Sequence, residues 1–164
     1  DSKLIETKLD WWKLTCSESI DGKYFSVPSL RLVNKYFLNN NIIKKNILLL
    51  IDILKSYYFE NKFNNKIKIY SKYLLARNNL ICNICNIKNF DTDVQRSLNF
   101  LIIAKSYSKH KNKSISIKFF NKAKNICKRP NKRFLVLFLL NSNNGFTKRN
   151  LLKKLVNIKF KNWY

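Results

Sequence analysis

Residues 91–124, DTDVQRSLNFLIIAKSYSKHKNKSISIKFFNKAK, constrain the fold more than any other stretch of the chain. They hold two apolar stripes at helical spacing, separated by a short basic run. Val94, Leu98, Leu101 and Ile102 share one face at a 3.6-residue period. Phe100, Ile103 and Tyr107 make the opposite side apolar too, which predicts a helix buried on two sides and central to the fold. Asp91 or Asp93 is placed to cap its start, because a carboxylate there accepts from free backbone N–H groups and complements the helix dipole. The run Lys109-His110-Lys111-Asn112-Lys113 is too charged to bury and predicts an exposed turn able to meet an anion. Ser114 is then the expected cap of a second helix, with Ile115, Phe119, Ala123 and Ile126 as its inner stripe.

The rest of the chain fits a mostly α fold of about six helices around that central one. With two Gly and two Pro in 164 residues, a turn-rich β sandwich or barrel is disfavoured. Residues 1–22 read as an N-terminal extension and 23–164 as the helical domain. Trp11-Trp12 would anchor the extension on a protein surface or on bases, or strap it onto its own domain. Pro28 suits the first turn of a helix carrying Leu30, Val33 and Phe37 inward. Asn39-Asn40-Asn41 breaks it. Ile47, Leu50, Ile51, Leu54 and Tyr58 predict the next buried stripe, with Asp52, Lys55 and Ser56 on the polar side. Ile67, Tyr70, Tyr73 and Leu74 predict a third helix. Residues 80–90 have no clean period, and their β-branched content allows a small, eroded β-hairpin or an irregular element. Residues 128–133 form a basic break, 134–140 an apolar segment favouring helix, and Thr147 the cap of a last helix with Leu151, Leu152, Leu155 and Ile158 inward.

Charge bears most directly on function. The chain carries 33 Lys and Arg against nine Asp and Glu, a formal net charge of +24. That exceeds what solubility needs and predicts a polyanionic partner. An apolar content of 46% separates it from a disordered basic tail. Lys and Arg gather in loops and at helix ends, where they can reach successive phosphates while apolar faces stay in the core. Lys44, Lys45, Lys109, Lys111, Lys113, Lys148 and Arg149 are the candidates in such positions. Lys23, Arg31, Lys35, Lys66, Lys68, Arg77, Arg96, Lys118 and Lys153 are further candidates for RNA contact. Aromatic side chains nearby can stack on unpaired bases.

Other chemistries find little footing. Cys82-x-x-Cys85 has zinc-like spacing, and Cys16, Cys127 or His110 would have to complete four ligands from a distance. The simpler reading is small apolar residues packed inside, so no metal and no cofactor are expected. There is no Gly-rich phosphate loop, nucleophile motif or carboxylate set for metal-assisted cleavage, and an enzyme is not expected. No stretch approaches the ~20 apolar residues of a membrane span, and no membrane partner is expected. Lys, Asn, Ile, Phe and Tyr dominate, as A/T-rich codons would favour, and this points to an organelle. The acidic N-terminal residues are unlike an Arg-rich transit peptide, so an organellar chain would be made in place or processed.

The central stretch also resembles the small-subunit ribosomal protein family called S-seven. In that family a D-V-x-R-x-L helix runs into a basic turn, then K-S, then a helix with an Asn. Asp93, Val94, Arg96, Leu98, Lys113, Ser114 and Asn121 stand at those positions without a gap. Asp21, Tyr24, Ser26, Asn34-Lys35, Lys44-Lys45 and Asp52 follow the family's upstream order. Gly145, Lys148-Arg149, Asn150, Lys153, Asn157, Phe160 and Trp163 follow its C-terminal order with small deletions. The family's β-hairpin is eroded or missing, and residues 128–144 are longer than the family's segment. The resemblance implies a non-catalytic constituent of a mitochondrial small ribosomal subunit. It would bind the 3′ major, or head, domain of small-subunit rRNA beside neighbouring ribosomal proteins, near exit-site tRNA and mRNA. The other reading is an organellar RNA-binding or RNA-processing factor outside the ribosome.

Overall fold

The structure is a computed structural model. It describes residues 2–88 and 91–127, together with Phe134, Leu137, Phe138 and Asn141. Among the described residues there are six long helices and no strand. Contacts divide the chain into two compact units, Asp1–Asn86 and Ile87–Tyr164.

The first unit holds α1 (Ser2–Ile20), α2 (Pro28–Phe37), α3 (Asn41–Phe59) and α4 (Phe63–Ile84). The residues read as an extension are thus helical, and α1 packs against both α2 and α3. Its inner side carries Thr15, Cys16, Ser19 and Ile20, all buried. Ser19 Oγ donates to the Leu30 carbonyl at 2.8 Å, and Asn34 Nδ2 donates back to the Ser19 carbonyl at 2.8 Å. These paired bonds satisfy buried polar groups and fix how α1 meets α2.

Local chemistry explains the helix ends. Pro28 opens α2, where its missing N–H costs nothing. Asn39 then takes the left-handed conformation (φ 57°), which Asn tolerates, and its N–H donates to the Ile20 carbonyl at 2.8 Å. Asn40 caps α3 by accepting from the Ile43 N–H at 3.0 Å. Glu60 serves the start of α4: Oε1 accepts from the Asn61 and Lys62 N–H groups at 2.8 Å each, and Oε2 from Asn65 Nδ2 at 2.9 Å.

Two expectations for this unit change. Tyr58 is exposed at 53%, because Tyr57 instead turns toward α4 and meets Tyr70 with ring centroids 5.7 Å apart. Residues 80–84 continue α4 rather than starting a hairpin. Ile67, Leu74, Asn78 and Cys82, all buried, run down one side at steps of seven, four and four, and this helical period outweighs local β-branching. The helix ends at Cys85, and Asn86 turns left-handed (φ 50°).

The second unit contains α5 (Thr92–Lys109) and α6 (Lys113–Ile126), packed as a helical hairpin. Val94, Leu98, Leu101 and Ile102 are all buried, as their spacing predicts, and Phe100, Ile103 and Tyr107 are half-buried. Asp91 is the cap of α5; its Oδ1 accepts from the Asp93 N–H at 3.1 Å. The hairpin closes through small residues, of which sequence periodicity singled out Ala123 but not Ser97, Ala104 or Ser116. Ser97 Oγ donates to the Ala123 carbonyl, and Ser116 Oγ to the Ala104 carbonyl, each at 2.8 Å. Ala104, Ala123 and Ser97 have no exposed surface. With no bulk at these crossings the backbones approach closely, and both hydroxyls find acceptors across the interface.

The expected cap of α6, Ser114, lies inside the helix. Asn112 caps instead, its Oδ1 accepting from the Ile115 N–H at 3.3 Å. Phe134, Leu137, Phe138 and Asn141 are buried, so the apolar segment read at 134–140 contributes core. The rest of 128–144 and the helix expected after Thr147 lie outside the described residues.

Candidate nucleic-acid interface

The basic turn is the best-defined element of the proposed interface. α5 ends with His110 as its cap, Lys111 in the left-handed conformation (φ 62°), and Asn112 beyond. The Lys111 N–H donates to the Ser108 carbonyl at 3.1 Å and the Asn112 N–H to the Tyr107 carbonyl at 2.9 Å. This is the Schellman closure, which usually takes Gly at the left-handed position. A lysine there accepts a conformation that a side chain with Cβ disfavours. His110 Nδ1 lies 2.7 Å from the Ser106 carbonyl, an arrangement in which Nδ1 donates. The ring is half-buried and helps end α5, rather than standing in solvent as a loop residue would. Lys109, Lys111 and Lys113 are all exposed around the turn.

The other candidates divide by surroundings. Arg96 on α5 and Lys118 on α6 are exposed. In the first unit Arg31, Lys35, Lys45 and Lys68 are exposed, with Lys35 Nζ 5.3 Å from the Tyr36 ring. Lys66 is half-buried. Lys23 pairs with Glu18 at 2.8 Å and lies 5.5 Å from the Phe25 ring. Lys44 pairs with Asp21 at 2.7 Å. Arg77 is half-buried on α4; burial pushes its guanidinium pKa down, against an upward pull from Tyr73 and Tyr70. It belongs with the α4 tyrosines rather than with the surface cations. Lys148, Arg149 and Lys153 lie outside the described residues.

Charge is unevenly shared between the units. Residues 1–86 hold 14 of the 33 Lys and Arg and seven of the nine acids; residues 87–164 hold the other 19 and two. No Asp or Glu occurs after Asp93. Asp91 serves as a helix cap, so the cations of α5 and α6 have almost no local carboxylate to pair with. Such a surface collects mobile counterions, and a polyanion that displaces them gains affinity.

Sequence reading passed over Lys122 and Lys124. Lys122 Nζ lies 5.9 Å from the Phe100 ring and 5.7 Å from the Phe119 ring; Lys124 Nζ lies 5.8 Å from the Phe120 ring. Phe119 stacks between Phe100 and Tyr107, at 5.9 and 6.1 Å between centroids. The helical period of α6 was the signal for these lysines. Trp11 and Trp12 sit edge-to-face at 5.0 Å on α1, 44% and 36% exposed.

Burial raises the thiol pKa of Cys16, Cys82 and Cys127, while Cys85 is exposed. Among the described residues no group of three His, Cys, Asp or Glu could hold a metal ion. No helix among them is long and apolar enough to cross a membrane. No family profile, curated protein or solved structure matches the chain.

Proposed function

We propose that the chain is a non-catalytic, RNA-binding constituent of a mitochondrial small ribosomal subunit that clamps the 3′ major domain of its rRNA. The observation that carries this reading is the α5–turn–α6 hairpin: a well-packed inner face, and an exposed cationic rim in a region without acids beyond Asp93. The central, ungapped residues of the S-seven resemblance fall on this hairpin. Asp93, Val94, Arg96 and Leu98 occupy the first turns of α5, Lys113 and Ser114 open α6, and Asn121 is exposed on it. Binding works by several phosphate contacts at once, each releasing counterions.

Fractionation of organellar ribosomes on sucrose gradients tests the reading. Tagged chain should travel with the small subunit. Replacing Lys109, Lys111 and Lys113 together with Gln should leave the fold intact, since all three are exposed. It should weaken binding to transcribed 3′ major domain and make log K against log salt shallower by ~2–3 units. A chain that stays at the top of the gradient would refute the ribosomal assignment. Unchanged affinity and salt slope in the triple variant would remove the turn from the interface.

A further inference from the structure

The outer face of α6 has an ordered composition. Its inner side, with Ser116 and Ala123, is taken up by α5. At ~100° per residue, Ser114, Asn121 and Asn125 fall within about 40° of one another, directly opposite that inner side. All three are exposed. Lysines stand on both flanks: Lys118 and Lys122 on one, Lys113 and Lys124 on the other. Lys122 lies beside Phe100 and Phe119, and Lys124 beside Phe120, as the ring distances show. Hydroxyl and amide groups thus form a central row about 16 Å long, given ~1.5 Å rise per residue, between two rails of positive charge. Ile117, 57% exposed, sits between the row and the Lys113–Lys124 rail.

We propose that this face of α6 lies along the minor groove of an RNA duplex. The inference rests on the RNA-binding reading and adds the form of RNA and the helix that engages it. An A-form duplex has a wide, shallow minor groove displaying 2′-hydroxyls, and a deep, narrow major groove that side chains cannot read. A helix about 10–12 Å across can rest on the shallow groove. Lysine stems then reach outward to the phosphates on either side. Ser114, Asn121 and Asn125, with short side chains that both donate and accept, meet the 2′-hydroxyls between the rails. Ile117 lies against ribose carbons. A solvated helix surface would need no such ordering of amides between cations.

The test uses the full chain and three labelled probes of one mixed sequence: duplex RNA, duplex DNA and single-stranded RNA. Anisotropy titrations should rank duplex RNA tightest. The double variant N121A/N125A should lose about tenfold in duplex-RNA affinity, as two lost hydrogen bonds predict, with duplex DNA nearly unchanged. The variant K118Q/K122Q/K124Q should flatten the salt dependence by ~2–3 units, and circular dichroism should show both variants folded. Equal affinity for RNA and DNA duplexes, tighter binding of the single strand, or an N121A/N125A variant that keeps its RNA preference would each overturn the groove assignment. In those cases the RNA-binding reading survives. No binding to any probe at low salt would overturn both.

Discussion

Between α1 and α3, oppositely charged side chains link the helices; between α5 and α6, small side chains do that work. α1 and α3 are linked by Lys13 to Asp52 at 2.7 Å, and by Lys55 to Glu6 at 2.9 Å and Asp10 at 3.0 Å. In α5 and α6 the polar links are Ser97 to Ala123 and Ser116 to Ala104, both hydroxyl to backbone. Among the described residues, large exposed apolar side chains also concentrate in the first unit, and Ile117 is the one in the second. A helix pair that has acids can spend cations on its own interfaces. A pair whose two acids both stand at one end coheres by packing. The second unit therefore carries the larger excess of positive charge, and among the described residues the first has the more apolar exterior.

The comparison is broken most severely by Leu98→Asp. Leu98 is 5% exposed on α5, and an unpaired buried charge costs several kcal/mol, ~3–5 by analogy with broken buried pairs. Hydrogen exchange should lose its protection across α5 and α6. Normal protection there would show that packing is not what holds the hairpin. Ala123→Leu is the milder form. Ala123 has no exposed surface, so the added bulk should cost about 1–3 kcal/mol by overpacking. A melting curve unchanged from the parent would mean that the helices do not meet closely there.

Salt should separate the two regions with a smaller effect. Raising NaCl from about 50 to 500 mM shortens the screening length severalfold. Protection of α5–α6 should rise as repulsion among the many like charges there is relieved. Protection of α1 and α3 should stay level or fall as Lys13–Asp52 and the Lys55 pairs weaken. The same trend in both regions would contradict the division drawn above.

The smallest effect is expected at Glu60. The Lys62 N–H foremost, then the Asn65 amide, holds its carboxyl below the usual range, with Lys62 charge adding to this against the upward push of burial. A depressed folded pKa stabilises the protein above the unfolded value of ~4.3 and stops doing so as pH falls through the folded pKa. Glu60→Gln should flatten this part of the acid limb, read as α4 protection from pH 5 downward. An identical acid limb in the variant would show that the carboxylate contributes nothing to α4.

The buried faces were legible because period alone carries them. Leu30, Ile51, Ile67, Leu74 and the α5 set all appear inside, as spacing required. Caps were legible only in part. Asp91 was one of two candidates, whereas Ser114 lost to Asn112 because the left-handed Lys111 brings α6 forward by two residues. Residues 80–84 were misjudged because local β-branching was weighed without the stripe running down from Ile67. Of the candidate cations, Arg96, Lys109, Lys111, Lys113 and Lys118 surround the hairpin, while Lys23 and Lys44 prove to be paired.

By itself the sequence determined that the chain would be helical, where its apolar stripes would lie, and that it would carry a large excess of positive charge. These follow from period and composition, which need no partner in space. Only the tertiary structure decided which cations remain available. Lys55 finds Glu6 and Asp10, 49 and 45 residues away in sequence, and Lys44 finds Asp21, because helix packing brings distant carboxylates within reach. It likewise turned Ser97, Ala104 and Ser116 from unremarkable helix residues into contacts of α5 with α6, beside the Ala123 that period had placed inward. Small side chains carry little hydrophobic signal, and their value appears only when a second backbone arrives.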